Sequence, residues 1–94
     1  MNPPQPDQID PAIAALLAQL WRAAQSGAQA WSLPRLSKQS GLRMSTLRRC
    51  LTLLIELELA AVELDGDGRG RAWLSADGLV LCRQLFAPDA GAEG

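Results

Sequence analysis

The stretch Arg43-Met44-Ser45-Thr46-Leu47-Arg48-Arg49-Cys50-Leu51-Thr52-Leu53-Leu54-Ile55-Glu56 decides the fold, because two stripes interleave along it. Laid on a helix at about 100° per residue, Met44, Leu47, Cys50, Leu51, Leu54 and Ile55 gather on one side, and Leu53 and Leu57 widen it. Ser45, Arg48, Arg49, Thr52 and Glu56 fall on the other. The first face suits a protein core. The second presents two guanidinium groups and two hydroxyls, the side chains that reach guanine edges, thymine methyls and phosphates when a helix lies in the major groove of DNA.

Working upstream, Ser32 can cap a short helix over 33–40, with Pro34 tolerated in its first turn and Leu33 and Leu36 turned inward. Gly41 ends that helix and Leu42 fills the corner. Two helices joined by a short glycine-containing turn form a helix-turn-helix. Before them, Asp10 offers an N-cap and Pro11 a first helical position, where the missing N–H costs little. Ile13, Leu16, Leu17, Leu20, Trp21 and Ala24 then keep the spacing of one helix face, and Gly27 supplies the stop. Residues 28–32 are too few for a helix, and with Trp31 among them they read as a brief strand.

Working downstream, residues 60–64 and 71–74 read as strands around Asp65, Gly66, Asp67, Gly68, Arg69 and Gly70, a run that suits a hairpin tip. Val62, Leu64, Ala72 and Leu74 are expected to face the core. Ser75 can cap a last helix over 76–86, with Leu79, Cys82, Leu85 and Phe86 as its apolar side and Asp77 suited to the N-terminal dipole. The segments 1–8, with three prolines, and 87–94 read as flexible tails around one domain at 9–86. The expected fold is mainly α with a small β wing, in the order α-β-α-α-β-β-α.

At 94 residues the chain fits one domain with a thin core, so a homodimer is a fair expectation. Its apolar runs are far short of the roughly 20 residues that span a bilayer, and the N-terminus carries no basic-then-apolar segment. Cys50 and Cys82 sit on apolar stripes of separate helices, which fits a reduced, cytoplasmic protein better than a disulfide framework. The formal net charge is −1, yet from Arg35 to Thr52 the bases Arg35, Lys38, Arg43, Arg48 and Arg49 are interrupted by no acid. Locally the field is positive, and binding to a polyanion is expected to be sensitive to salt.

The order of elements, with Leu33-Pro34-Arg35-Leu36-Ser37-Lys38-Gln39-Ser40-Gly41-Leu42, Ser45-Thr46-Leu47-Arg48-Arg49 and Gly68-Arg69-Gly70-Arg71 before Leu74-Ser75-Ala76-Asp77-Gly78, resembles bacterial MarR/ArsR-type winged helix-turn-helix transcriptional regulators. The resemblance implies a dimer that binds double-stranded DNA, with the helix over 44–57 in the major groove and the wing over 60–74 on the backbone. By position it makes Arg43, Ser45, Thr46, Arg48, Arg49 and Thr52 groove-facing, Arg69 and Arg71 wing contacts, and Arg35 and Lys38 phosphate contacts. The first and last helices supply the implied dimer surface. Two departures stand out: Arg43 holds the N-cap place where Ser, Thr or Asp is usual, and Glu58 stands where such regulators commonly have glycine before the wing.

Other chemistries find little support. No histidine is present to act as acid–base partner or metal ligand, and the two cysteines are not within chelating distance along the chain, so neither an enzyme nor a metal or other cofactor is expected. Gly66 to Gly70 lacks the Lys-Ser/Thr of a phosphate loop. Trp21 belongs to an apolar stripe. Trp31 and Trp73 fall on strands that can pair, leaving one or both partly exposed toward a partner. An acidic pI near 5.2 keeps one alternative, a winged-helix protein-interaction module that does not bind DNA.

Overall fold

A computed structural model describes residues 10–28, 30–64 and 70–86; the expected tails and the wing tip with Arg69 lie outside the described residues. The elements run α1 (Pro11–Gln25), β1 (Trp31–Ser32), α2 (Leu33–Ser40), α3 (Met44–Glu56), β2 (Ala60–Leu64), β3 (Gly70–Leu74) and α4 (Ala76–Phe86). This is a winged helix-turn-helix, its antiparallel sheet ordered β1-β3-β2.

Local chemistry sets where each helix begins. The Asp10 carboxylate accepts the Ala12 amide at 2.8 Å while Pro11 takes the first helical place. Ser32 Oγ accepts the Arg35 amide at 3.2 Å. α2 stops at Gly41, whose φ of 77° is left-handed and whose amide donates to the Ser37 carbonyl. The Ser37 hydroxyl donates to the Leu42 carbonyl, and Ser40 Oγ accepts the Leu42 amide. The turn between α2 and α3 is thus tied to α2 by side chains, and Leu42 packs on the core beneath it.

α1 is the central helix, touching α2, α3, β3 and α4. Its Leu16, Leu17 and Leu20 are no more than 1% exposed and share one cluster with Leu36, Leu47, Leu54, Ala72 and Cys82. Each buried leucine contributes about 1.5–3 kcal/mol relative to exposure. Because α1 is enclosed on so many sides, only its residues Pro11, Arg22 and Gln25 are exposed.

α3 ends in a Schellman arrangement. The Leu59 amide donates to the Leu54 carbonyl at 2.8 Å and the Glu58 amide to the Ile55 carbonyl at 2.9 Å. That closure needs a left-handed residue, and Glu58 supplies it with a φ of 61°. The sequence's departure from glycine at this corner therefore falls on a strained backbone position rather than on a changed path.

Several apolar residues stand differently from the expectation. Leu64 is 62% exposed although its strand alternation matches Val62, because β2 has by then run past the helical layer toward the wing tip. Leu53 and Leu57, taken as the margin of the α3 core stripe, are 42% and 59% exposed, since no described residue overlies the outer flank of the last two turns. Phe86, at the end of α4, is likewise largely outside the core. The strands of Trp31 and Trp73 pair as expected, with Trp31 opposite Ala72; Trp31 is buried and Trp73 is the half-buried one of the two.

Both cysteines are free and buried. Cys82, on α4, lies against α1 with its thiol donating to the Leu17 carbonyl at 3.8 Å, and burial pushes it up to about 11 from the ordinary 9.0. The unfolded chain ionises first, so this thiol's contribution to stability is intact below pH 9 and is lost as pH rises from about 9 to 11. Denaturant titrations at pH 8 and pH 10.5 are expected to show an alkaline loss of stability that shrinks in Cys82→Ala; an unchanged slope would contradict the assignment.

Candidate nucleic-acid interface

α3 is held from beneath by Leu47, Cys50, Leu51 and Leu54, which leaves Ser45, Arg48, Arg49, Thr52 and Glu56 exposed along its outer face, with Thr46 half-buried. This is the crest read from the sequence. Clefts run along both of its flanks. One, of about 520 Å³, opens toward the start of α1 and is lined by Asp10, Ile13, Arg49, Cys50, Thr52, Leu53 and Glu56. The other, of about 180 Å³, opens toward the sheet and is lined by Leu33, Arg48, Leu51, Thr52, Ile55, Val62 and Leu64. Thr52 borders both clefts and so marks the ridge; Arg48 leans to the sheet side and Arg49 to the α1 side.

Arg43 stands at the N-cap of α3 with no side-chain cap. The first-turn amides and the positive end of the helix dipole are consequently left without a capping oxygen, beside an exposed cation. Arg35 lies with its guanidinium carbon 4.2 Å from the Trp31 ring centroid. That cation–π contact aims Arg35 while its charge stays exposed. The sequence reading missed this pairing, and helical spacing could not have found it, because Trp31 lies on β1 and Arg35 on α2. Lys38 is exposed on the same helix.

Arg71 differs from these. Its Nη2 lies 3.1 Å from Glu63 Oε1, and Nε donates to the same oxygen at 3.2 Å, across the β2–β3 pairing that sets the two residues opposite each other. Both side chains are more than 60% exposed, so the pair adds little stability, about 0–1 kcal/mol, but it offsets the charge of Arg71. Arg69 lies outside the described residues.

The electrostatic layout is one-sided. From Pro11 to Ile55 the chain contains six bases and no acid; its acids lie at Asp7 and Asp10 and from Glu56 onward. Among the described residues the salt bridge is that between Arg71 and Glu63, so Arg35, Lys38, Arg43, Arg48 and Arg49 carry charges with no ion-pair partner there. Cys50, beneath the crest, is held above its ordinary value by burial first and the Asp10 charge second, against a lowering by Arg49. It is a packing residue rather than an activated thiol. Among the described residues no three His, Cys, Asp or Glu side chains are grouped to hold a metal ion, and no helix is long and apolar enough to cross a membrane.

A crystal structure of a candidate DNA-binding protein from Ralstonia eutropha JMP134 matches with a TM-score of 0.77 and 48% sequence identity, over 83% of this chain and 98% of that one. This chain belongs to that protein's family. A MarR-family transcriptional regulator from Silicibacter pomeroyi matches at TM-score 0.69 and 24% identity, over 84% of this chain and 51% of its own. The PcaV transcriptional regulator from Streptomyces coelicolor matches at TM-score 0.67 and 23% identity, over 87% and 55%. The family thus has the MarR-type winged-helix fold, in a chain spanning about half the length of those two regulators. No protein-family model matches the chain, nor does any curated protein.

Proposed function

We propose that this chain is a cytoplasmic, dimeric transcriptional regulator that binds double-stranded DNA with α3 in the major groove. The observation that carries the reading is the exposed crest of α3, where Ser45, Arg48, Arg49 and Thr52 stand on a helix anchored from below and the two arginines have no ion-pair partner among the described residues. Arg48 and Arg49 are suited to guanine edges, Ser45, Thr46 and Thr52 to bases or phosphate oxygens. Arg43, with the uncapped start of α3, and Arg35 and Lys38 on α2 would take phosphates. Arg69 and Arg71 would carry the wing contact. The candidate DNA-binding description of the Ralstonia eutropha relative agrees with this reading. A two-fold dimer would set its reading helices on half-sites about 34–36 Å apart.

The test is selection of duplexes from a random pool by the full chain, then titration of the enriched sequence at about 50 and 200 mM salt. Enrichment of a pseudo-palindrome whose binding weakens steeply with salt is expected. Failure to enrich any duplex would favour a winged-helix module that docks a protein partner instead.

The Glu63–Arg71 pair gives a second expected result. Glu63→Gln removes the carboxylate that engages Arg71 and frees that cation for phosphate. Affinity for the selected duplex is expected to rise a few-fold and the salt dependence to steepen by about one counterion. An unchanged salt slope would place Arg71 away from the DNA.

A further inference from the structure

The two clefts beside the α3 crest differ in what lines them. Asp10 and Glu56 contribute carboxylates to the one on the α1 side. The sheet-side cleft, of about 180 Å³, has none: apart from Arg48 and Thr52 on its rim, its lining is Leu33, Leu51, Ile55, Val62 and Leu64. Leu33 and Leu51 are buried, Ile55 and Val62 half-buried, and Leu64 is 62% exposed. The glycine opposite makes room for Leu64. Gly70 is its partner in the β2–β3 pairing, and a Cβ on that glycine would lie 2.6 Å from Leu64 Cδ2. Without one, the leucine side chain lies over β3 and forms a wall of the cleft.

A polyanion can approach this recess without meeting a carboxylate in its lining, and the rim is the crest itself, since Arg48 and Thr52 belong to both. An apolar recess on such a face gains from burial only if an apolar group enters it. The major groove of DNA offers one apolar substituent, the C5-methyl of thymine; its other features are hydrogen-bond donors and acceptors. We propose that the sheet-side cleft takes a thymine methyl group, from a base pair close to the guanine read by Arg48, with Leu64, Ile55 and Val62 around it. The inference rests on the DNA reading given above and adds to it a pocket for one base. Crest and recess then have separate tasks: Arg48 selects guanine by hydrogen bonds, and the cleft selects a methylated pyrimidine edge over a bare one.

The test exchanges thymine for uracil, one position at a time, in the duplex selected by the full chain. The exchange deletes the methyl and leaves every hydrogen-bonding group in place. Wild type is expected to show one thymine in each half-site whose exchange weakens binding about fourfold, the worth of one buried methyl group. The salt slope should stay the same, because no phosphate contact is lost. At that position a C·G pair should bind better when its cytosine carries a 5-methyl group. Leu64→Ala is expected to bind the uracil duplex as wild type does and to lose most of the preference for thymine. Leu64 is exposed, so the variant should keep the wild-type Tm, which a melt checks. A selected duplex in which no thymine responds to the exchange overturns the proposal. So does a preference that Leu64→Ala retains in full, which would assign the methyl contact to the crest instead. Failure to select any duplex removes the DNA reading and this pocket with it, whereas either of the other two results removes the pocket alone.

Discussion

Replacing Arg48 and Arg49 together with alanine is expected to abolish specific DNA binding while leaving the fold intact. Each guanidinium that reads a base edge contributes about 1–3 kcal/mol of discrimination, so each single variant should lose roughly tenfold to a hundredfold, and the pair should leave only salt-sensitive residual binding. Stability should change little, because both side chains are exposed and neither is in an ion pair among the described residues. The two losses should be unequal. Arg49 shares its cleft with the Asp10 and Glu56 carboxylates, which draw on its charge, whereas the cleft beside Arg48 is lined by apolar residues and Thr52. Arg48→Ala should therefore cost more. Arg48→Lys should keep most of the salt slope and lose sequence preference, because a lysine is a point charge without the guanidinium's two-pronged geometry. Binding isotherms on the selected duplex and on an unrelated one separate these outcomes; equal affinity of the double variant and wild type for the selected duplex would remove α3 from the groove.

The proposed role of the two arginines is compatible with a net charge of −1. The chain's acids do not dilute the field at the crest uniformly; they lie before Pro11 and after Ile55. The helix-turn-helix gathers five of the six intervening bases onto α2, α3 and the turn between them, with Arg22 apart on α1, while Glu63 and Asp77 belong to the wing and α4. Potential at the contact face depends on this separation rather than on the total.

How much of this could be read from residues alone follows from which forces act locally. The limits of α1, α2 and α4 were legible because Asp10, Ser32, Ser75, Gly27 and Gly41 act within a turn of themselves, and the crest of α3 because a helical period fixes its faces. What periodicity does not encode is how far the neighbouring layer extends. Leu53, Leu57 and Leu64 continue apolar patterns beyond the place where any described residue covers them, and all three are exposed. Which of Trp31 and Trp73 is the exposed one was open for the complementary reason: the burial of Trp31 depends on pairing with Ala72, forty-one positions later in the chain, and on Arg35 lying over its ring. Glu58 was noticed as out of pattern, but that it carries a positive φ follows only from the Schellman closure of α3.

Gly78 is the position where a one-carbon change should do the greatest damage to the fold. An alanine inside a helix ordinarily stabilises by about 1 kcal/mol over glycine, so propensity alone predicts a gain from Gly78→Ala. The surroundings reverse the sign. A Cβ at this residue would lie 2.0 Å from the Leu59 carbonyl oxygen, 3.0 Å from the carbon that bears it and 3.1 Å from Leu74 Cδ2. The first two are backbone atoms, and they are held: the Leu59 carbonyl accepts the Ser75 amide at 3.0 Å, while the Leu59 amide closes the end of α3 on Leu54. Ser75 binds the corner a second time, its hydroxyl donating to the Glu58 carbonyl at 2.6 Å and accepting the Gly78 amide at 3.0 Å. Admitting the methyl group means moving α4 away from the α3–β2 corner, with loss of those bonds and of the packing of Cys82 on α1. A net destabilisation of about 3 kcal/mol is expected, seen as a fall in Tm of about 10 °C or more. DNA binding measured well below that Tm should survive, since Gly78 faces inward and the crest of α3 is untouched. A Tm equal to or above that of wild type would show that the corner yields, and that α4 is not locked to the reading helix by this contact.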